Sequence, residues 1–337
     1  MRLMKALIGA ALALPLLAAT AFAQAPVKIR IAWVVPVANS PTILYEKPDI
    51  LKFKGKSYDI ELIRFQGTPP MITALAAGEV DIALLAYSSL ALAIQNAGME
   101  DLRVIADEAQ EGVDGYYTSP FMVLKDGPIK TVADLKGKVV ASVGQGSAVD
   151  IAMRSYLKKH GLEDKRDYSS VEAAFPNMRA LLTDKKADLI SVVLPFSINP
   201  ELLEKGRTLF TVKDSLGKSE FIVWVAKDGF LKKNKAAMTD FMEDSITSLH
   251  YLMDPKNRDY LLKTAARVSK LPEAAFSSWV YTNKDLYRDP DMLPDVEALQ
   301  RSIDIQQSLG LLKSKMDIKK YVDLTVTEDA VKRMKKK

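Results

Sequence analysis

Hydrophobic and polar positions along the chain follow two different patterns in alternation. Residues 27–35 and 58–65 read VKIRIAWVV and YDIELIRF, in which apolar and polar side chains alternate as they do along a half-buried strand. Stretches with helical spacing follow at 70–77 and 89–97, and a short apolar strand at 81–86 separates them. This order of strands and helices predicts an α/β protein with mainly parallel sheets.

A second unit with the same alternation begins near residue 138. Residues 138–143 read KVVASV, a predicted strand, and a glycine-containing turn leads from it into a predicted helix over 148–160. Residues 221–226 read FIVWVA and predict a return strand, while the chain from Lys235 onward reads as mostly helical. The length of 337 residues also favours two domains, each large enough to bury a core of its own.

The two units share an internal repeat. Residues 70–85 read PMITALAAGEVDIALL before Tyr87-Ser88, and residues 176–193 read PNMRALLTDKKADLISVV before Phe196. In each copy a proline opens a helix and an aspartate begins a short buried strand. Either the chain folds as two similar lobes, or two βαβ units resemble one another by chance. In the first case Tyr87, Ser88 and Phe196 follow the carboxyl ends of strands, where ligands bind in open α/β sheets.

The N-terminus has the pattern of a secretory signal peptide. Arg2 and Lys5 precede an unbroken apolar stretch at 6–19, and alanines at 21 and 23 fit a signal-peptidase site. The alternative is a buried N-terminal helix, which would show a polar face that this stretch lacks. We therefore expect residues 1–23 to be removed, leaving a chain free in a bacterial periplasm, without the cysteine that a lipid anchor needs.

Composition removes several classes of chemistry. The chain has no cysteine and only two histidines, which argues against cysteine-zinc sites, thiol catalysis and His-rich metal sites. Seven basic residues lie at the two chain ends, and without them the formal net charge falls from +5 to −2. A chain whose remaining residues are slightly acidic overall does not favour nucleic-acid binding. The basic run at 332–337 predicts a frayed, solvated tail or, alternatively, a contact for anionic lipid or an acidic partner.

Few residues offer catalytic chemistry. Neither histidine has an acid or a second histidine at useful spacing along the chain. The predicted strand 104–107 ends in Asp107-Glu108, which reads as surface charge, with a sugar-cleaving carboxylate pair as the alternative. Residues 144–149 follow a strand and open a helix but lack the third glycine of a dinucleotide-binding loop. We expect neither a cofactor nor a metal.

A polar loop before a helix is the best candidate for an anion site. Ser147 with Asp150 three residues later matches a capping box, and Gly146 leaves room for a ligand to approach. A helix N-terminus presents unpaired N–H groups and a partial positive charge. Gly146 and Ser147 therefore either bind the anionic end of a ligand or form an ordinary helix cap.

Similar loops supply the remaining candidates. Each of these residues lies next to a predicted strand end or helix start, and each has a plain alternative role in capping, in an exposed loop or in the core. The candidates are Trp33, Asn39, Ser40, Gln66, Gly67, Thr68 and Asn177.

Together these segments resemble the periplasmic substrate-binding proteins of ABC importers of the nitrate/sulfonate/taurine type, which are related to the thiamine-precursor-binding proteins. The resemblance runs from about residue 27 to 270. It is carried by ALAAGEVDIA at 74–83, by DGPIKTVADLKGK at 126–138, and by the Gly-Ser pair before the helix that ends LKKHG at 157–161.

This resemblance implies a bilobal type II periplasmic-binding-protein fold, in which two α/β lobes are joined by two crossover strands. The implied boundaries are 27–122 with 225–290 for lobe I, 123–224 for lobe II, hinges near 121–125 and 221–225, and C-terminal helices with a basic tail at 291–337. The implied function is a monomeric ligand-capture protein that closes on a small, anionic organic molecule and delivers it to an inner-membrane ABC permease.

Two other functions stay open at this point: an exported enzyme on the same fold, and the receptor of a different importer or a sensor. The sequence does not decide between nitrate, sulfonates, aromatic carboxylates and pyrimidine precursors as the ligand.

Overall fold

The chain forms two lobes, each built on a five-stranded sheet. The structure, a computed structural model, describes residues 25–336, so the expected signal peptide at 1–23 lies outside the described residues. The strands of the first sheet are β1 (Val27–Trp33), β2 (Tyr58–Arg64), β3 (Ile82–Ala86), β4 (Leu102–Glu111) and β10 (Ser219–Lys227). Their order across the sheet is β2-β1-β3-β10-β4.

The second sheet repeats this topology. Its strands are β5 (Pro120–Leu124), β6 (Lys138–Ser142), β7 (Tyr168–Glu172), β8 (Leu189–Ser191) and β9 (Gly206–Thr211), in the order β7-β6-β8-β5-β9. In both sheets the first three strands are parallel, and the fourth runs antiparallel to its neighbours. The predicted α/β class and the predicted repeat are therefore confirmed.

The aspartate of each repeat has the same structural role. The Asp81 carboxylate accepts a 2.9 Å hydrogen bond from the backbone N–H of Arg30, and the Asp81 N–H donates to the Arg30 carbonyl. Asp188 makes the same two bonds with Val139, at 3.0 and 2.7 Å. Each aspartate thus fixes the start of its short strand against the neighbouring parallel strand.

The two connections between the lobes lie at residues 112–119 and 212–218, between the strands of one sheet and the next. The hinges expected near 121–125 and 221–225 are misplaced by several residues, because those apolar stretches lie largely within strands β5 and β10 and pack into the cores. Sheet membership likewise moves the lobe boundaries from residues 122 and 225 into these connections.

Helices cover the faces of both sheets. They are α1 (Pro41–Leu44), α2 (Thr68–Ala77), α3 (Tyr87–Asn96), α4 (Ala148–Lys159), α5 (Phe175–Thr183), α6 (Pro200–Lys205), α7 (Val212–Leu216), α8 (Asp228–Lys233), α9 (Lys235–Met253), α10 (Arg258–Ser269), α11 (Val296–Ser308) and α12 (Thr325–Lys335). None of the helices within residues 25–336 has the length and apolar character that crossing a membrane requires.

The C-terminal segment packs onto the first lobe. Helix α11 lies against α3 and β10, and α12 lies against α9 and β4. The hydroxyl of Thr327 donates a 2.5 Å hydrogen bond to the Ile105 carbonyl, and Arg333 pairs with Asp240 at 2.7 Å. The expectation that the basic tail is frayed is therefore wrong as far as Lys335, because the buried face of α12 holds this segment in a helix. The expected solvation is confirmed, since Lys332, Arg333 and Lys335 are exposed.

Candidate functional site

A cavity of about 100 Å³ lies between the two lobes. Its walls come from residues at or just after the carboxyl ends of parallel strands in both sheets, the position where open α/β sheets bind ligands. The first sheet contributes Val35 and Ala86, and the second contributes Val143 and Leu194. Most lining side chains are apolar, so the cavity suits a ligand with an apolar body.

The N-terminus of α4 points at this cavity. Ser147, Ala148 and Val149 all line it, and the Ser147 hydroxyl caps the helix by accepting a hydrogen bond from the Asp150 N–H at 3.3 Å. The predicted cap is thus confirmed. No hydrogen-bond partner occurs among residues 25–336 for the N–H groups of Ala148 and Val149. These two donors and the helix dipole favour a negative group at this end.

Asp150 fixes the turn that precedes α4. Its carboxylate accepts a 3.0 Å hydrogen bond from the Gly146 N–H and pairs with Arg154 at 2.9 Å. Burial raises the pKa of Asp150, and the Arg154 guanidinium opposes that rise. Gly146 has φ +81°, a left-handed conformation that favours glycine, and a Cβ there would lie 2.9 Å from the tip of the Leu92 side chain, which would have to shift.

The first lobe faces α4 with the loop after β1. Asn39 lines the cavity, and its Oδ1 accepts hydrogen bonds from the N–H groups of Val34 and Val35 at 2.9 and 2.8 Å. Ser40 turns away from the cavity, because its N–H and hydroxyl both donate to the buried carboxylate of Glu108. The structure therefore brings Asn39, but not Ser40, to the cavity wall.

The loop before α2 also reaches the cavity. Gly67 and Thr68 line it, and the Thr68 hydroxyl lies 2.8 Å from that of Ser89. Gln66 is exposed and is not among the lining residues. Because Pro69 and Pro70 lack N–H groups, this helix start offers fewer donors than α4.

Tyr87 and Ser88 do not line the cavity, and Ser88 contacts the other lobe. The Ser88 hydroxyl donates a 2.7 Å hydrogen bond to the Gly146 carbonyl, and the Ser88 carbonyl accepts one from Gln306 at 3.1 Å. Tyr87 is fully buried, and within residues 25–336 its hydroxyl has no hydrogen-bond partner. Ser88 therefore joins the two lobes through Gly146.

Three further candidates lie outside the wall. The Trp33 ring stacks under the Arg64 guanidinium at 5.4 Å, and Asn177 is exposed on α5. Phe196 stacks on Phe175 at 6.2 Å, and Phe175 is the ring that lines the cavity.

Sequence reasoning missed several wall residues. Phe221 and Ile222 lie at the cavity but read as ordinary strand positions. Asp285 and Leu286 come from a distant loop that carries no motif. Asp285 is the one charged side chain among the described lining residues, and it is buried and paired with Arg288 at 3.0 Å. The described wall contains no lysine or arginine, so the positive end that it offers to an anion consists of the backbone N–H groups at the start of α4.

The carboxylates of β4 are buried, so their interpretation as surface charge is wrong. Strand β4 continues through Glu111, and Asp107, Glu108 and Glu111 are each at most 2% exposed. Burial raises the pKa of Asp107 to about 6 and those of Glu108 and Glu111 to about 7. None of the three lines the cavity, so they do not form a sugar-cleaving pair there.

A wider groove of about 460 Å³ lies on the second lobe beside β7. Its charged groups largely pair with one another, as Arg154 does with Asp164 at 2.6 Å. No group of three or more His, Asp or Glu side chains within residues 25–336 is arranged to hold a metal ion.

The fold matches those of known periplasmic binding proteins. An alkanesulfonate-binding protein from Xanthomonas axonopodis pv. citri bound to MOPS aligns with a TM-score of 0.69 and 20% identity, over 89% of this chain and 99% of that one. The nitrate-binding protein of Synechocystis PCC 6803 aligns with a TM-score of 0.71 and 13% identity, over 92% and 89%. The expected bilobal fold is therefore confirmed.

An enzyme shares this fold as well. The desulfurization enzyme DSZB aligns with a TM-score of 0.64 and 14% identity, over 91% of this chain and 99% of that one. Among curated proteins, none has a significantly matching sequence. The model of the NMT1-like family matches residues 23–266, and by this match over most of its length the chain belongs to the NMT1-like family.

Proposed function

We propose that this protein is an extracytoplasmic solute-binding protein, which captures a small organic anion between its lobes and delivers it to an ABC permease. One observation carries the proposal: the cavity is shared by both lobes and combines apolar walls with the N-terminus of α4. A protein that binds by closing needs only a higher ligand affinity in the closed state than in the open one.

The walls favour an organic ligand over a bare oxyanion. Phe175 and Leu194 of the second lobe line the cavity together with Phe221 and other apolar residues of the first lobe, and nitrate would leave these side chains without contacts. A volume of about 100 Å³ suits a ligand with only a few carbon atoms. We therefore favour a short alkanesulfonate or carboxylate whose anionic group meets the N–H groups of Ala148 and Val149.

Export and the partner follow from the same proposal. The N-terminal pattern at 1–23 is that of a cleavable signal peptide, and the sulfonate- and nitrate-binding proteins of the same fold are periplasmic by name. We expect a periplasmic monomer whose two lobes present a bound ligand to the permease. Size-exclusion chromatography with light scattering tests the monomer.

An exported enzyme is the second candidate, because DSZB has the same fold. A variant of that enzyme with one cysteine replaced by serine is known in complex with biphenyl-2-sulfinic acid. This chain has no cysteine, so any chemistry that uses a thiol is not available to it.

A thermal-shift screen tests the proposal. The panel contains C2 to C6 alkanesulfonates, the matching carboxylates, and sodium nitrate as the anion without an apolar body. A ligand at a hundredfold excess over its Kd stabilises the folded state by about 2.7 kcal/mol, which gives a readily measured shift. Recovery of the ligand unchanged after incubation supports a binding protein, and its consumption supports the enzyme.

A further inference from the structure

The loop at 34–40 forms much of the first-lobe wall, although it contains little regular structure. Val34, Val35, Ala38 and Asn39 all line the cavity. The chain reverses within this loop, and Val37 has φ +69°, a conformation that β-branched residues rarely adopt. Contacts from outside the loop are therefore needed to hold this shape.

Glu108 supplies the first of those contacts. Its carboxylate accepts hydrogen bonds from the Ser40 N–H at 2.7 Å, the Ser40 hydroxyl at 2.6 Å and the Trp224 indole N–H at 2.6 Å. Glu108 is 1% exposed and Trp224 is fully buried. A carboxylate with three donors from two elements joins the end of the loop rigidly to the sheet.

Arg288 supplies the second contact. Its guanidinium donates a 2.8 Å hydrogen bond to the Ala38 carbonyl and pairs with Asp285 at 3.0 Å. Asp285 also lines the cavity, so Arg288 joins two segments of the cavity wall. Arg288 is 4% exposed, and it also lies 5.3 Å from the centre of the Tyr281 ring.

We propose that Glu108 and Arg288 are positioning residues of the ligand site, which hold the loop at 34–40 in its place in the cavity wall without touching the ligand themselves. The proposal deepens the proposed function and rests on it for its consequence on affinity. Its structural part, the fixing of the loop by Glu108, is tested without any ligand.

The main variant is Glu108→Gln. It keeps the size of the side chain but replaces one acceptor oxygen with an amide NH2 group, which can only donate. Ser40 and Trp224 also donate at this position, so the variant places donors against donors. Ser40→Ala is the milder variant, because it removes one of these bonds and leaves the Ser40 N–H bond in place. Ser40→Ala replaces Glu108→Gln in the experiments if Glu108→Gln does not fold.

Asp244→Asn is the matched control. Asp244 is also a buried carboxylate of the first lobe, and it holds a different loop by accepting from the N–H groups of Lys52, Phe53 and Lys54 at 2.8 to 3.1 Å. It does not line the cavity. This variant therefore loses the same kind of interaction without disturbing the proposed wall.

Amide hydrogen exchange on the folded protein is the first measurement. We expect Glu108→Gln to speed exchange of the Val34, Val35 and Ser40 amides by about tenfold or more, because a charge-assisted bond is lost. Asp244→Asn should leave these amides protected and speed exchange only around residues 52–54. Unchanged protection of the Ser40 amide in Glu108→Gln overturns the proposal, and if only Ser40→Ala folds, unchanged protection of the Val34 and Val35 amides in that variant does so.

The indole N–H resonance of Trp224 reports directly on the Glu108 carboxyl group, because this N–H donates to it. Burial raises the pKa of Glu108 to about 7, and Arg288, Tyr281 and Tyr45 are the other ionisable groups that face it. The resonance should titrate with a midpoint near pH 7 in the wild type and lose this transition in Glu108→Gln. A transition that persists in the variant contradicts the assignment.

Calorimetric titration with propane-1-sulfonate completes the test. We expect the Kd to rise about tenfold in Glu108→Gln and to stay within about twofold of the wild type in Asp244→Asn. An equal Kd in Glu108→Gln and wild type refutes the role in ligand binding. If the wild type itself does not bind propane-1-sulfonate, the proposed ligand class is wrong, while hydrogen exchange still decides whether Glu108 positions the loop.

Discussion

Gly112 lies so close to Gly217 that no side chain fits between them. A Cβ on Gly112 would lie 2.3 Å from the Gly217 carbonyl oxygen and 2.7 Å from its carbonyl carbon. Both glycines have positive φ, +70° and +68°. The two connections between the lobes therefore touch backbone to backbone, and we expect the lobes to pivot at this contact.

Gly112→Ala should destabilise the protein by about 2–4 kcal/mol, because it adds left-handed strain to an overlap that no rotamer relieves. Denaturant unfolding measures the loss. Gly229→Ala is the control, since Gly229 lies in α8 with nothing within 4 Å of its Cβ position. An alanine there should be neutral or stabilising, and equal effects of the two variants would contradict the role of Gly112.

Closure of the lobes predicts a change in shape on ligand binding. The buried hydrogen bond from Ser88 to the Gly146 carbonyl joins the lobes, so Ser88→Ala should favour the open form and weaken ligand affinity about fivefold. Small-angle scattering should record compaction of the wild type on ligand addition. An unchanged radius of gyration at saturation with a ligand proven to bind would argue against hinge closure.

Ser147→Ala tests the anion end of the cavity. The Ser147 hydroxyl already accepts from the Asp150 N–H, and its own proton is free to be donated to a ligand. We expect the Kd to rise about tenfold and the stability to fall by about 1 kcal/mol.

Asn199→Ala is the control for the loss of a helix cap alone. Asn199 caps α6 by accepting from the Leu202 N–H at 3.1 Å, and it does not line the cavity. It should lose stability and keep its affinity. A Kd that is unchanged in Ser147→Ala removes Ser147 from the ligand site.

A buried pair of carboxyl groups makes stability depend on pH. Asp107 and Glu220 interact electrostatically, and neither Asp107 Oδ1 nor Glu220 Oε1 accepts a hydrogen bond from another group within residues 25–336. Burial raises the pKa of Asp107 to about 6, and burial together with the Asp107 charge raises that of Glu220 well above its usual value. The folded state therefore holds protons that the unfolded state releases. The contribution of this pair to stability is greatest at low pH and falls as the pH rises through 6.

Glu220→Gln should remove much of this dependence, because an amide keeps a donor toward Asp107 and carries no charge. Unfolding free energies from about pH 5 to 8 measure it, and the wild type should lose about 1 kcal/mol or more over this range relative to the variant. Parallel curves for the two proteins would contradict a shared proton.

The fold was predictable from the sequence where a short segment of the chain contains the whole pattern. In each repeat a proline opens a helix, and an aspartate, Asp81 or Asp188, begins a strand. The repeated topology therefore follows from short segments of the sequence. The cap at Ser147 was predictable for the same reason. Charged positions misled the prediction of β4, because Glu108 and Glu111 read as loop residues although their partners in other segments allow them to be buried.

The cavity wall was predicted only in part. Asn39, Gly67, Thr68 and Ser147 lie at ends of elements that the pattern locates. Phe221 and Asp285 reach the cavity through tertiary packing, which brings together segments far apart in the chain, and no local pattern encodes it.

The proposed ligand of the cavity is a small organic anion with an apolar body. Isothermal titration of the purified wild type with propane-1-sulfonate, and in parallel with sodium nitrate, tests it most directly. We expect one bound sulfonate per chain, recovered unchanged, and weaker binding of nitrate. Tighter binding of nitrate than of every organic anion in the panel, or consumption of the sulfonate, would contradict the account.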